Sequence, residues 1–224
     1  MKSVIHSTAI ISSKAQLSND VQIGPYCTID KNVVLKNNTK LISHVTISGN
    51  TIIGKNNTFY PFSSIGLVPQ DLKYNGEDSK LMIGNDNIFR ENVTINIGTK
   101  GGKMKTEIGN NCLFMVGSHV AHDCKISNNV ILANNATLAG HITIDDNVII
   151  GGLSAIHQFV RIGKYSMIGG MSGVEQDIIP YSLYIGIRSY LRGLNLIGLK
   201  RKGLNSNKIL MLKKMYSIIF HNKD

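Results

Sequence analysis

The sequence predicts an all-β fold, a parallel β-helix built from hexapeptide repeats, followed by a short α-helical C-terminal region. Three observations carry this. An aliphatic or aromatic residue recurs at every sixth position, a mostly small residue follows four places after each, and the pattern gives way to helical spacing beyond Pro180. A period of six fits neither the 3.6 of a helix nor the two of an alternating strand. It is the signature of a chain wound into triangular coils of about 18 residues, three hexads to the coil, each side a short strand with its large residue inward. Stacked coils pair as parallel strands about 4.8 Å apart, so residues roughly 18 apart in sequence become neighbours in space.

Taken in order, the large residues run from Ile5 through Ile11, Leu17 and Ile23 to Ile65 with no member missing. A first interruption, residues 66–82 (GLVPQDLKYNGEDSKLM), is followed by Ile83, Phe89 and Ile95. A second, residues 99–106 (TKGGKMKT), is followed by an unbroken series from Ile108 to Val174. The small partners include Ala15, Val21, Cys27, Ser63, Cys112, Cys124, Ala136 and Ser154. Both interruptions read as loops thrown out from the coils. Loops on a rigid scaffold are where function concentrates, and a tolerated surface insertion is the plainer alternative. Such repeats resemble the left-handed members of the β-helix class, an exception to the usual right-handed crossover. From about Tyr190 to Lys202, and again from about Asn207 to His221, apolar residues fall at helical spacing, with Asn205 or Ser206 placed as an N-cap. The expected division is therefore residues 1–184 for the β-helix and 185–224 for a basic helical region.

With 224 residues, 42% of them hydrophobic, the chain is long enough for one sizeable domain; at 6% aromatic content and no Trp, small aliphatics must fill the core. A net charge of +10 predicts attraction to acidic partners, and Lys200, Arg201, Lys202, Lys208, Lys213 and Lys214 carry much of it near the C-terminus. A solvated charged face is the ordinary reading of such a cluster. No basic N-terminal region precedes an apolar run, and no stretch of about 18 apolar residues occurs, so neither a signal peptide nor a transmembrane span is expected, and the chain reads as cytoplasmic. Cys27, Cys112 and Cys124 are odd in number and lack zinc-ribbon spacing, which predicts three buried thiols.

Chemistry concentrates in residues 119–141, HVAHDCKISNNVILANNATLAGH. On an 18-residue coil, His122, His141 and His157 fall near one another on three successive coils, with His119, Asp123 and Asn135 beside them. Such a column suits two chemistries. It can ligate zinc with water in an open position. Alternatively, one imidazole near neutrality removes a proton from a hydroxyl or amine while the others bind the substrate. Spacing leaves both open. No nucleophilic Ser or Cys elbow is present, so no covalent intermediate is implied.

The runs SIGLVPQDLKY, RENVTINIGT, HVAHDC, ILANNATLAGH, IIGG followed by AIHQF, GGMSGVEQD and NLIGLKRKG resemble the UDP-N-acetylglucosamine O-acyltransferase family of lipid A biosynthesis, over essentially the whole chain. The resemblance implies a homotrimer of left-handed β-helices that moves a 3-hydroxyacyl chain from acyl carrier protein to the 3-hydroxyl of UDP-N-acetylglucosamine in the cleft between subunits. It implies no cofactor, no metal and no nucleic acid. Carried over position by position, His122 is the general base, Asp123 orients it, and Gly140 supplies an N–H for the oxyanion. Asp71, Lys73, His119, His141, His157 and Gln158 hold the sugar nucleotide. Asn195, Arg201 and Lys202 face the nucleotide phosphates or the carrier protein, and Gly170 and Arg188 bear on acyl chain length. One residue pair sits awkwardly: neighbours on a strand point to opposite faces, which sets Asp123 against its orienting role.

The chain departs from the family pattern in three places. Ile197 stands where an acidic residue is common, Arg188 where a histidine is frequent, and the sequence ends at Asp224, earlier than the usual helical tail. The related N-acyltransferase carries an extra N-terminal uridine-binding domain, for which a repeat beginning at Ile5 leaves no room. The other readings are a zinc enzyme of the γ-carbonic anhydrase type, N-acylation of a diamino UDP-sugar, and a non-catalytic scaffold.

Overall fold

A computed structural model of the protein describes residues 3–187 and 190–220. Among these residues, 28 short strands and two helices form a prism of three parallel sheets. Face A holds 11 strands, face B nine and face C eight, and the chain visits A, B and C in turn. Gln22–Ile23 lies on face A, Thr28–Ile29 on face B and Val33–Leu35 on face C. The next coil then stacks on them in register, Ile23 on Leu41 and Ile29 on Ile47.

Most strands are two residues long because each hexad must spend the rest of its length turning a corner. The corners are tight enough to need the left-handed backbone region, which Asn and Asp tolerate best among residues with a Cβ. Accordingly Asn38, Asn56, Asp86, Asn111, Asn129 and Asn147 all have φ between 56° and 62° at the edge between faces C and A. Their amides bond up the edge: Asn38 Nδ2 donates to Asn56 Oδ1 at 3.2 Å and Asn56 Nδ2 to Asp86 Oδ1 at 2.8 Å. Just inside this edge, the buried Asn57 and Asn87 satisfy successive backbone groups, with Asn87 N and Cys112 N as donors.

The interior is one continuous column. The hexad residues from Ile23 to Val174 are buried, and three of them, Phe59, Phe89 and Phe114, stack face to face at centroid distances of 4.5 and 4.8 Å. The small residues four places on fill the corners; Cys27, Cys112 and Cys124 are free and buried, as expected. Burial pushes all three thiols up, Cys112 to about 11 and Cys124 to about 12, so they are inert neutral groups at physiological pH.

Both interruptions are loops; the first is shorter than the broken pattern suggested, and the second is the same length but begins two residues earlier. Strand pairing carries Ser64–Leu67 and Lys80–Ile83 into the first, leaving residues 68–79, and Lys105–Ile108 into the second, leaving residues 97–104. Paired residues are 18 apart in regular coils but 30 and 25 apart across the loops, and the stack continues past both, with one register irregularity between Ile65 and Leu67 where the first loop leaves face B.

The C-terminal region needs two corrections. Strand Ser182–Ile185 extends face A past Pro180, so a boundary at 184/185 would cut it. Tyr190–Leu194, expected to be helical, is a strand running antiparallel to Ser182–Ile185. Its backbone pairs with a sheet edge whose N–H and C=O groups would otherwise be open, and that outweighs helical spacing. Helix α1 is thus only Leu196–Arg201, capped by the Asn195 side chain, and α2 is Ser206–Phe220, where Asn205 Oδ1 accepts from Lys208 N as the predicted cap. His221, assigned to that helix from the sequence, lies outside the described residues. No helix among the described residues is long and apolar enough to cross a membrane.

Phe89 sits between two aromatic neighbours with no exposure, so its removal leaves a cavity that neither can fill. Phe89→Ala is expected to cost about 3–5 kcal/mol, read as a lower urea midpoint at unchanged slope.

Candidate active site

His119, His122, Asp123, Gly140, His141, His157, Gln158 and the first loop's Asp71 and Lys73 lie along or beside one edge of the prism, where the chain passes from face B to face C, whereas Asn135, expected beside the histidines, sits at the corner between faces A and B. Successive crossings of that edge are loop 68–79, loop 97–104, His122–Asp123, Gly140–His141 and Gln158–Phe159. Placing both insertions directly beside the histidine coils builds relief on an otherwise flat scaffold.

His122 is nearly buried, at 8% exposure, and its Nδ1 lies 2.9 Å from Asp123 Oδ2. The two side chains meet because Asp123 is not on a strand. It occupies the corner with φ 59°, so the alternation of strand side chains does not apply and the objection to its orienting role falls away. Asp123 is only 1% exposed, yet its carboxylate is fully satisfied. Oδ2 also accepts from Thr99 N at 3.0 Å and Thr99 Oγ1 at 2.6 Å, and Oδ1 accepts from Lys103 N at 2.8 Å. Burial works to raise this carboxyl, but the hydrogen bonds from Thr99, His122 and Lys103 outweigh it and hold the group below the usual carboxylate range. With Asp123 ionised, the proton of a neutral His122 sits on Nδ1 and leaves the Nε2 lone pair free.

Gly140 lies against the His122 ring. A Cβ there would stand 2.6 Å from His122 Cε1 and 2.8 Å from Nε2, so no side chain fits. Among the described residues its N–H has no hydrogen-bond partner, while its carbonyl accepts from Phe159 N at 3.2 Å.

His141 packs edge-on to His122 at 4.9 Å and stacks on Phe159 at 4.5 Å. Burial, helped by His122 and Lys103, lowers its pKa against the pull of Asp123 and Asp71. His119 shares a 2.7 Å hydrogen bond with Thr94 Oγ1, and burial with the neighbouring His122 lowers its pKa too. His157 is on the same edge but exposed, its Nδ1 3.3 Å from the carbonyl oxygen of Gln158, itself exposed. The ring that continues the stack beyond His141 is Phe159, which the sequence reading passed over. It stands 18 residues after His141, as His141 does after Asp123, and that repeat was the available signal. Thr99 was likewise missed, since a lone Thr in a Gly- and Lys-rich loop carries no pattern.

In the first loop, Asp71 is half-buried and accepts from Lys73 N at 2.9 Å, while Lys73 is exposed. Gly170 is exposed at the edge between faces A and B, where an added Cβ would meet only Gly152 O at 3.2 Å and Gly152 N at 3.9 Å. Face B therefore separates it from His122, with an offset of three coil rises, about 14 Å along the axis. Arg188 lies outside the described residues.

The single chain does not bring the basic cluster to this edge. Arg201 and Lys202 line a cleft of about 720 Å³ between α1 and face A, with Met167, Leu183 and the exposed Ile197, on the side of the prism opposite the edge between B and C. Asn195, expected to face outward to phosphates or a partner, is 5% exposed; its side chain caps Gly198 N and donates to Tyr165 O. It holds α1 in place.

His122, Asp123 and His141 gather ligand atoms within 4.8 Å of one another. They fit a zinc ion poorly, because the Asp123 carboxylate already accepts four hydrogen bonds and His122 Nδ1 is turned onto it.

Comparison with known proteins gives the family and the fold. Residues 177–224 match the family model described as Udp N-acetylglucosamine O-acyltransferase, Domain 2, and residues 105–140 match Bacterial transferase hexapeptide (six repeats). The acyl-(acyl-carrier-protein)–UDP-N-acetylglucosamine O-acyltransferase of Rickettsia bellii (strain OSU 85-389) is 61% identical over 96% of this chain and 77% of its own. The enzyme of the same name from Thermodesulfovibrio yellowstonii is 53% identical over 98% of this chain and 85% of its own. The solved UDP-N-acetylglucosamine acyltransferase from Campylobacter jejuni is 40% identical and superposes with a TM-score of 0.94 over 98% of this chain and 86% of that one. An overlap of this quality carries the left-handed sense of the coil with it, as expected from the resemblance. On motif order, whole-chain identity and whole-chain superposition, the chain belongs to the UDP-N-acetylglucosamine O-acyltransferase family.

Proposed function

We propose that the chain, acting as a homotrimer in the cytoplasm, transfers a 3-hydroxyacyl group from acyl carrier protein to the 3-hydroxyl of UDP-N-acetylglucosamine, the opening step of lipid A biosynthesis, with His122 as general base. The observation that carries the mechanism is the nearly buried His122–Asp123 pair, with Nε2 unpartnered among the described residues and Gly140 against the ring. A thioester is already an activated acyl donor, so the missing ingredient is removal of a proton from a weakly nucleophilic hydroxyl. His122 Nε2 takes that proton as the oxygen attacks the thioester carbonyl. Asp123 steadies the imidazolium, and the free Gly140 N–H stabilises the oxyanion. Collapse breaks the carbon–sulfur bond, and the imidazolium returns its proton to the departing thiolate. The lowered pKa values of His119 and His141 keep these two rings neutral at working pH, where they serve as hydrogen-bonding groups for the sugar nucleotide together with Asp71, Lys73, His157 and Gln158.

The trimer is supported by where the basic residues lie. Arg201 and Lys202 can reach a phosphate or an acidic carrier protein bound at the His122 edge only if face A of a second subunit adjoins that edge of the first. Static light scattering is expected to give three times the chain mass; a monomer at working concentration contradicts this geometry. The acyl chain then runs over face B toward Gly170, where the absent side chain leaves the groove open.

His122→Ala should lower kcat by roughly 10²–10⁴-fold, with binding of the sugar nucleotide by calorimetry largely intact. Near-normal turnover of the variant, or loss of wild-type activity to a chelator, rejects the general-base assignment. Gly170→Met should shift the preference among hydroxyacyl carrier proteins toward shorter chains, measured by product mass, and an unchanged preference removes Gly170 from the groove.

A further inference from the structure

Loop 97–104 does more than wall the cleft. It wraps the buried Asp123 carboxylate and supplies three of the four hydrogen bonds that it accepts, two of them on Oδ2, the oxygen paired with His122. Thr99 gives two of these, from its N–H and its hydroxyl, and is itself 2% exposed. The Thr99 carbonyl in turn accepts from Gly102 N at 3.1 Å and Met104 N at 3.2 Å, which folds the loop tightly around this residue. Gly102 passes so close that a Cβ on it would lie 2.2 Å from Asp123 Cγ. The first loop braces the second, because Glu77 Oε1 accepts from Lys100 N at 3.1 Å. From the other side, Thr106 Oγ1 accepts from Asp123 N at 2.9 Å.

From this geometry we infer that Thr99 is a positioning residue for catalysis, whose hydroxyl and N–H hold the Asp123 carboxylate in the one orientation that keeps the proton on His122 Nδ1 and the lone pair on Nε2. The inference rests on the reading of His122 as general base and deepens it. A carboxylate with no exposed oxygen and one imidazole partner has two ways to pair with that ring, through either oxygen. The Thr99 and Lys103 donors fix which oxygen is used. Without the hydroxyl, Oδ2 is held by one loop donor in place of two, and the imidazole tautomer is less strongly specified.

The test is Thr99→Val, which keeps the shape and the N–H and removes only the O–H, with Thr99→Ser as the conservative control. In Thr99→Val, kcat should fall roughly 10-fold, as for other hydrogen-bonded supporting partners, with KM for UDP-N-acetylglucosamine unchanged. Nitrogen-15 NMR of histidine-labelled protein, with the His122 signal assigned from its loss in His122→Ala, should show population moving from the Nδ1–H to the Nε2–H tautomer. Thr99→Ser should restore both readouts. Wild-type kcat and wild-type tautomer in Thr99→Val, while His122→Ala is inactive, overturn this inference alone; an active His122→Ala removes the base reading and this one with it. If Thr99→Val does not fold, Thr99→Ala carries the test, since it also removes the hydroxyl donor to Asp123 Oδ2 and keeps the N–H. It should show the same loss in kcat and the same tautomer change, and wild-type values for both overturn the inference.

Discussion

The stacking of each coil on the last, in register, is the constraint on which the rest of the molecule depends. A single coil exposes the edges of three two-residue strands and the apolar residues inside them, and such short strands have no independent stability. Only when successive coils share one period do the inward residues form the continuous column from Ile23 to Val174 and the backbone groups find partners. The period is therefore unforgiving within a strand and indifferent at a corner. Residues 68–79 and 97–104 can be inserted because they leave face B and enter face C in register, with Lys80 opposite Asn50 on one side and Lys105 on the other.

The corners are where this scaffold accumulates strain, and how each edge relieves it separates structure from function. A residue with a Cβ in the left-handed region costs on the order of 1–2 kcal/mol. Along the edge between C and A the residues are mostly Asn and Asp, whose amides and carboxylates form a ladder. Bulky residues also occupy this conformation and recover part of the cost by stacking on the equivalent residue of the next coil, Tyr26, His44 and Phe62 on the edge between A and B and Tyr165 and Tyr181 farther along the edge between C and A. At the edge between B and C, Asp123, His141 and Phe159 hold these strained positions. There the left-handed backbone turns a carboxylate toward the preceding histidine and two rings into a stack.

Burying Asp123 beside that edge has a further consequence. An ionised carboxylate removed from water is tolerated only when its oxygens are saturated with donors. Two backbone N–H groups and a hydroxyl of one loop meet that requirement, so the loop and the histidine coil are held together by the same charge. The field at the site is mixed: His119, His141 and Lys103 face His122 or its neighbours alongside the carboxylates of Asp123 and Asp71. Desolvation keeps the two flanking imidazoles neutral, leaving the carboxylates unopposed by imidazolium charge.

The sequence by itself determined the β-helix, the two insertions, the buried thiols and the coil on which the chemistry lies, because each follows from a period of six that no other regular structure shares. It also brought His122 and His141 together on successive coils, since positions about 18 apart must stack. It misassigned Tyr190–Leu194, where the demand of an open sheet edge overrode helical spacing, and it set Asp123 on the wrong face by treating a corner as a strand. What only the tertiary structure decided were the contacts that cross from loop to coil or from one strained corner to the next: Thr99 on Asp123, Phe159 on His141, Asn195 turned inward beneath α1, and the basic cluster on the face opposite the histidines. A repeat specifies which residues are neighbours up the stack. It carries no information about where an inserted loop folds back, since that depends on unpaired donors and a buried charge finding each other in space.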